Sequence, residues 1–261
     1  MDLYFKFIKI SFLEKYIYKF NLYTSIIAGF IMIYIQISVW EALYDNLNNN
    51  SNLQQMINYV FISFFIFNIT KSESGNKIGD AIDKGTIVTD LIKPINYRNC
   101  LFAQDAGTNI FQLTFIFLPS FIFFLFMYNL QFDITLVNFL MFFLSIVFAV
   151  IIAFLIKYII GLFAFWLETS WYIPFIVGAI FDLFSGSIIP IWFYPDWLAD
   201  ICAYLPFRFV FFEPISIFLG RYNELQILNL LLLQLLWIVI LYCIERFIWS
   251  KAQNKLVVHG G

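Results

Sequence analysis

Between Ala106 and Phe132 the chain carries no charged residue, and after Asp133 a second run, Ile134 to Ile156, is again free of charge. About 20 consecutive apolar residues cross the 30 Å hydrocarbon layer of a bilayer as a helix, so two such runs joined by one short turn read as a helical hairpin in a membrane. Similar runs recur along the chain. Phe20–Trp40 is uncharged, a weaker block near Gln54–Thr70 is interrupted by Asn58 and Asn68, and Leu225–Ile244 is uncharged. Composition agrees: 62% of residues are hydrophobic and 12% charged, against about 25% charged in soluble domains. Spans are expected at 20–40, 54–70, 107–132, 134–160, 168–190 and 224–245. The fold class is thus an all-α polytopic membrane protein with a single six-span domain over residues 1–261. The small net charge of −2 excludes a nucleic-acid footprint.

Residues 1–19 precede the first span with Lys6, Lys9, Lys15 and Lys19 among aromatic and aliphatic residues. Leu3, Phe7, Ile10, Leu13 and Ile17 recur at helical spacing, which predicts an interfacial helix on the inner leaflet with that stripe in the lipid. No small-residue cleavage pattern follows, so the first apolar block is expected to stay as a span. Orientation follows from the basic residues. Placing the N-terminal segment, the charged stretch Lys71–Asp105, the region of Lys157 and the C-terminus on one side collects every Lys and Arg except Arg208 and Arg221. By the positive-inside rule both termini are cytoplasmic.

The stretch Lys71–Asp105 lies between apolar blocks yet keeps charges at regular intervals. Within it, Gly85–Ile95 reads as a short surface helix. Thr86 is placed to cap it with its hydroxyl, Asp90 suits its positive end, and Pro94 stops it while pushing Lys93 out of helical geometry. Ile87 and Leu91 stand one turn apart, as do Val88 and Ile92, so the helix shows apolar side chains that need a partner. The reading is a cytoplasmic docking lever driven by another subunit.

Beyond the hairpin, residues 169–222 contain two apolar stretches flanking Asp182 and several Gly and Pro residues. A fifth span over 168–190 is the simplest solution. Ile191–Gly220 is too apolar for a loop and too broken for one span, which predicts short re-entrant or interfacial helices on the outer side.

Few residues here carry chemistry. The one histidine is His259, Cys100, Cys202 and Cys243 are single and widely spaced, and neither GxSxG nor GxxxxGK[ST] occurs. No catalytic residue, metal site or cofactor site is assigned, and this chain has no ATPase motif of its own. The polar residues at membrane depth are Gln36, Gln112, Glu168, Asp182, Gln234 and Glu245. Glu168 and Glu245 read as span ends among headgroups, although Glu168 also stands as a candidate for a transport pathway. Two placements fit Asp182: deep in the membrane with Arg208 as counter-ion, or at the outer interface. Gly178 and Gly186 read as ordinary membrane-helix glycines.

Three motifs, in order, resemble the ABC-2 type permeases, the membrane half of a class of bacterial ATP-binding-cassette exporters, and most of all their compact branch of about 260 residues. Asp83-Lys84-Gly85-Thr86 with Leu91-Ile92-Lys93-Pro94 is similar to the (E/D)xGT…LLxxP pattern of that family's cytoplasmic loop. Ser185 to Phe207 is similar to its (S/G)G…P…FP.WL.....LPF segment, and His259-Gly260-Gly261 to the usual Gly-Gly ending. The chain departs from the pattern in the lysine- and aspartate-rich run before Gly85, where a glutamate is common. The resemblance implies a dimer of six-span permease subunits, homomeric or heteromeric, in the bacterial cytoplasmic membrane. Each would dock an ABC ATPase subunit that binds the ATP and Mg through the coupling helix at Gly85–Pro94, with Asp83, Lys84, Gly85, Thr86, Ile87, Leu91, Lys93 and Pro94 forming the docking element. Two readings from other classes are an ion-coupled carrier or channel without an ATPase, which needs a polar path through the spans, and an intramembrane enzyme, which needs a catalytic constellation.

Overall fold

The computed structural model describes residues 2–45, 50–128, 132, 134–167 and 172–259. Among these there are helices and no strands: α1 Asp2–Ile17, α2 Lys19–Asp45, α3 Asn50–Thr70, α4 Ser74–Asp83, α5 Ile87–Ile92, α6 Tyr97–Gln112, α7 Leu118–Tyr128, α8 Leu136–Leu162, α9 Ile173–Ser185, α10 Asp196–Ala203, α11 Phe212–Phe218 and α12 Glu224–His259. Asp133, Gly260 and Gly261, together with the Asn-rich positions 46–49, lie outside the described residues.

Among the described residues five helical stretches are long and apolar enough to cross a membrane: Lys19–Asp45, Leu53–Asp83, Tyr97–Tyr128, Leu136–Trp166 and Glu224–Asn254. Among the same residues a sixth crossing arises if the pair Asp196–Ala203 and Pro206–Phe218, bent by 75°, counts as one. The segment expected as a fifth span is different. Its described part is helical over the 13 residues Ile173–Ser185, about 20 Å, which falls short of the hydrocarbon layer. The helix stops because Gly186 turns into the left-handed region at φ 75°, where a Cβ would be strained.

Helix α8 is the packing centre, with α4, α11 and α12 against it. Helix α3 bridges two apolar cores. Tyr59, Ile62 and Ile66 join the cluster around α8, while Val60, Phe61 and Phe64 join one with α2 and α7. Non-helical backbone at membrane depth must find its partners inside the protein, and three buried side chains supply them. Tyr59 donates to the Gly186 carbonyl at 2.5 Å, Ser63 to that of Ser187 at 2.6 Å, and the Gln234 amide to those of Phe209 at 2.9 Å and Ser145 at 3.3 Å. These bonds pin the broken region 186–209 to α3, α8 and α12.

The N-terminal helix turns its expected stripe outward and packs by another side. Leu3, Ile10, Leu13 and Ile17 are exposed, while Ser11 is buried and Phe12 packs edge-on against Phe111 of α6 at 5.8 Å. Apolar residues surround this helix, so the stripe left over for lipid and the stripe chosen by α6 look alike in sequence. The fit is close at Gly107, where an added Cβ would lie 2.2 Å from the Ile8 carbonyl oxygen. Gly107→Val is expected to push α1 off α6 and lower stability by about 1–3 kcal/mol. Thermal unfolding in detergent, with trypsin cleavage at Lys6 and Lys9 as a local readout, checks this. Unchanged melting and cleavage would mean that α1 is not seated as described.

Candidate functional site

The charged stretch Lys71–Asp105 is a helical arm rather than a loop. α4 continues α3 after a three-residue joint at 71–73, a turn at 84–86 leads into α5, and Tyr97 opens α6. The joint is bound from two sides. Lys15 of α1 reaches Glu73 at 2.8 Å, and Asp105 of α6 accepts from the Ser72 hydroxyl and, at 3.1 Å, from the Glu73 backbone N–H. That last contact satisfies a free N–H at the start of α4, which has no side-chain cap of its own. Lys77 adds a bond to Gln104 at 2.8 Å. The arm therefore starts from a fixed point.

Its tip is α5. Lys93 is extended, at ψ 137°, as a residue before proline must be, and its ammonium meets Asp90 at 2.6 Å, which raises the lysine above its ordinary value. Thr86 stands at the N-cap position but does not cap the helix with its hydroxyl. That hydroxyl donates to the Ala81 carbonyl at 3.4 Å, because the turn after α4 presents a free carbonyl nearby. Gly85 has φ 68° and nothing within 4 Å of a Cβ built on it, so its role lies in its backbone conformation. Asp83, Lys84, Thr86 and Pro94 are exposed around it.

The four apolar side chains of α5 divide into two pairs. Ile87 is buried and Leu91 packs against the α8 core, beside a cavity of about 220 Å³ that also takes in Tyr97, Arg98 and Trp249. Val88 and Ile92 point away, 50% and 77% exposed. Only this second pair offers an apolar contact to another molecule.

Behind the tip, α4 meets α8 backbone to backbone. A Cβ on Gly161 would lie 2.6 Å from the Gly75 Cα, and one on Gly75 would lie 2.8 Å from the Lys157 carbonyl oxygen. Next to this contact a cleft of about 680 Å³ opens between α4, α8 and α9, with Asp182, Lys157 and Lys71 in its wall.

Asp182 accepts from the Ser187 hydroxyl at 3.3 Å, and Arg208 is not its counter-ion. Arg208 pairs instead with Glu213, five residues on and fully buried. A charge placed in the same broken segment competes better than one on another helix, and the FFEPIS context of Glu213 was the overlooked signal. Glu245 is corrected as well. It is 2% exposed and accepts from Arg98 at 2.8 Å, because α12 runs on as helix to His259 and carries this position inside the bundle. Glu168 lies outside the described residues. Asp182 and Arg208 are thus not brought together, whereas the arm residues 83–94 form one continuous element.

Residues 30–260 match the family model described as ABC-2 family transporter protein, a match that takes in the arm, the cleft and the broken outer region. No curated protein matches the chain.

Proposed function

Because the chain belongs to the ABC-2 transporter family, as a multi-pass permease component of an ABC transporter, we propose that the α4–α5 arm docks a separate ABC ATPase and couples its ATP cycle to export. In this reading two permease subunits, identical or sister chains, sit in a bacterial cytoplasmic membrane with both termini in the cytoplasm. ATP and Mg stay on the ATPase. The observation that carries the proposal is the exposed apolar pair Val88 and Ile92 at the tip of an arm fixed at its base. Exposed apolar pairs on short helices are favourable only when a partner groove covers them.

The proposed mechanism runs through the arm. Closure of two ATPases on ATP moves both tips, and each tip displaces α4, which lies directly on α8 at Gly75 and Gly161. The outward- and inward-open arrangements of the spans then differ in their docked contacts, and ATP shifts their populations through its preference for one of them. Asp83, Lys84 and Lys93, exposed around Gly85 and Pro94, supply the charges that orient the tip in the groove.

Affinity capture of the tagged chain from native membranes tests this. Wild type should recover an ATP-binding-cassette subunit, and Ile92→Asp should recover at least tenfold less, since a charge at an interface anchor costs about 2 kcal/mol of binding. Leu91→Asp is the control, because it must also lower the chain's own melting temperature. No ATPase with wild type would overturn the coupling reading, and the ion-coupled carrier would then be examined at Asp182 and Lys157.

A further inference from the structure

We propose that the cleft between α4, α8 and α9 binds an anionic amphiphile drawn from the inner leaflet, with its acid group between Lys71 and Lys157 and its apolar body along Phe67, Phe175 and Phe181. Calling this ligand cargo rests on the transporter reading above; the binding itself does not.

The charges make the case. Lys157 donates one long hydrogen bond, 3.4 Å to the Thr70 carbonyl, and lies 5.5 Å from the centre of the Phe181 ring. Among the described residues no carboxylate comes within 4.0 Å of the Lys157 or the Lys71 ammonium. An ammonium in a largely apolar wall is costly without an anion, and two on one wall more so. The nearby carboxylates stay beyond ion-pair distance: Asp80 faces Lys84 at 3.8 Å, Asp83 sits at the exposed turn, and Asp182, which accepts from Ser187, acts with Asp105 on Lys157 only through the field.

Depth and size agree. On the proposed orientation Lys157 lies 21 residues into α8 from Leu136, about 32 Å along the helix and so at the inner edge of the hydrocarbon layer. An acid there is level with inner-leaflet headgroups, and Phe67 and Phe181 line the same cleft. A volume of about 680 Å³ falls within the ordinary range for small-molecule sites. Gly178 leaves the α9 wall open, with nothing within 4 Å of an added Cβ.

The test is equilibrium binding of radiolabelled dodecyl phosphate to the purified full chain in a non-ionic detergent. Saturable binding is expected, displaced by unlabelled dodecyl phosphate but not by dodecylamine or dodecanol, and by inorganic phosphate only at concentrations at least a hundredfold higher. Lys157→Gln should weaken it at least tenfold, Lys71→Gln severalfold, and Asp182→Asn should tighten it by removing an opposing charge. Should Lys157→Gln fail to fold, Gly178→Leu, whose Cβ meets nothing within 4 Å and whose side chain occupies the cleft wall, must abolish binding. Displacement by inorganic phosphate at equal concentration overturns the amphiphile and leaves a bare anion site. Equal displacement by dodecanol, or weakening by Asp182→Asn with no effect of Lys157→Gln, overturns the acid recognition. Disulfide formation between copies carrying Gly178→Cys in a Cys243→Ser background, without probe binding, gives the cleft to a second copy instead. No ATPase enters this measurement, so loss of the docking result would leave it standing, and its own failure would leave docking standing.

Discussion

Arg208→Met is expected to destabilise the protein by about 3–5 kcal/mol, the loss usual when one partner of a buried ion pair is removed. Glu213 is fully buried, and Arg208 is the cation that meets it. The guanidinium also lies over Phe212, 5.6 Å from the ring centre, so methionine replaces some of its packing but none of its charge. The pair holds the bend where the chain turns from Pro206–Phe209 into α11. Without it an unpaired carboxylate faces the α8 core, and the short helices lose the contact that fixes their angle. The double variant Arg208→Met, Glu213→Met should recover most of the loss, because well-packed apolar residues commonly replace a buried pair at little cost. Thermal unfolding in detergent of both variants decides. A double variant as unstable as the single would mean that the pair's worth lies in its shape rather than in cancelling a buried charge.

Local signals in this chain were legible and distant contacts were not. The tip helix is readable because Gly85 and Pro94 mark its ends within a few residues, and the structure places it at Ile87–Ile92. Which of its apolar residues face outward was not readable, since Leu91 and Ile92 have the same chemistry and differ only in whether α8 lies beneath them. The fifth apolar block looked like a span from composition. Its 13-residue helix follows from the conformation of Gly186 and from the bonds of Tyr59 and Ser63 to the backbone beyond it, and those partners lie more than 120 residues away. The end of the uncharged run points Glu245 toward a headgroup, while its partner is Arg98, 147 residues earlier. The arm divides the same way: the helix at its tip is legible in the sequence, and the joint formed by Lys15, Glu73 and Asp105 is not.

Gly161→Val is expected to separate docking from transport. Its Cβ alone would stand 2.6 Å from the Gly75 Cα and 3.1 Å from the Ile78 Cδ1, so α4 must lift from α8, and overpacking of this kind lowers stability by about 1–3 kcal/mol. Val88 and Ile92 are untouched by that shift and should still capture the ATPase. What is lost is the rigid path from tip to span. ATPase recovery should therefore stay near wild type while ATP-driven transport, or stimulation of the ATPase by the permease, falls at least tenfold. Gly85→Ala makes the opposite comparison. It has open space around it and suffers only from its left-handed backbone at φ 68°, a strain of about 1–2 kcal/mol that tilts the tip without moving α4 off α8. Its defect should appear first in ATPase recovery. If both variants lost recovery and transport in the same proportion, the arm would act as a docking platform only, and the α4–α8 contact would carry no signal into the membrane.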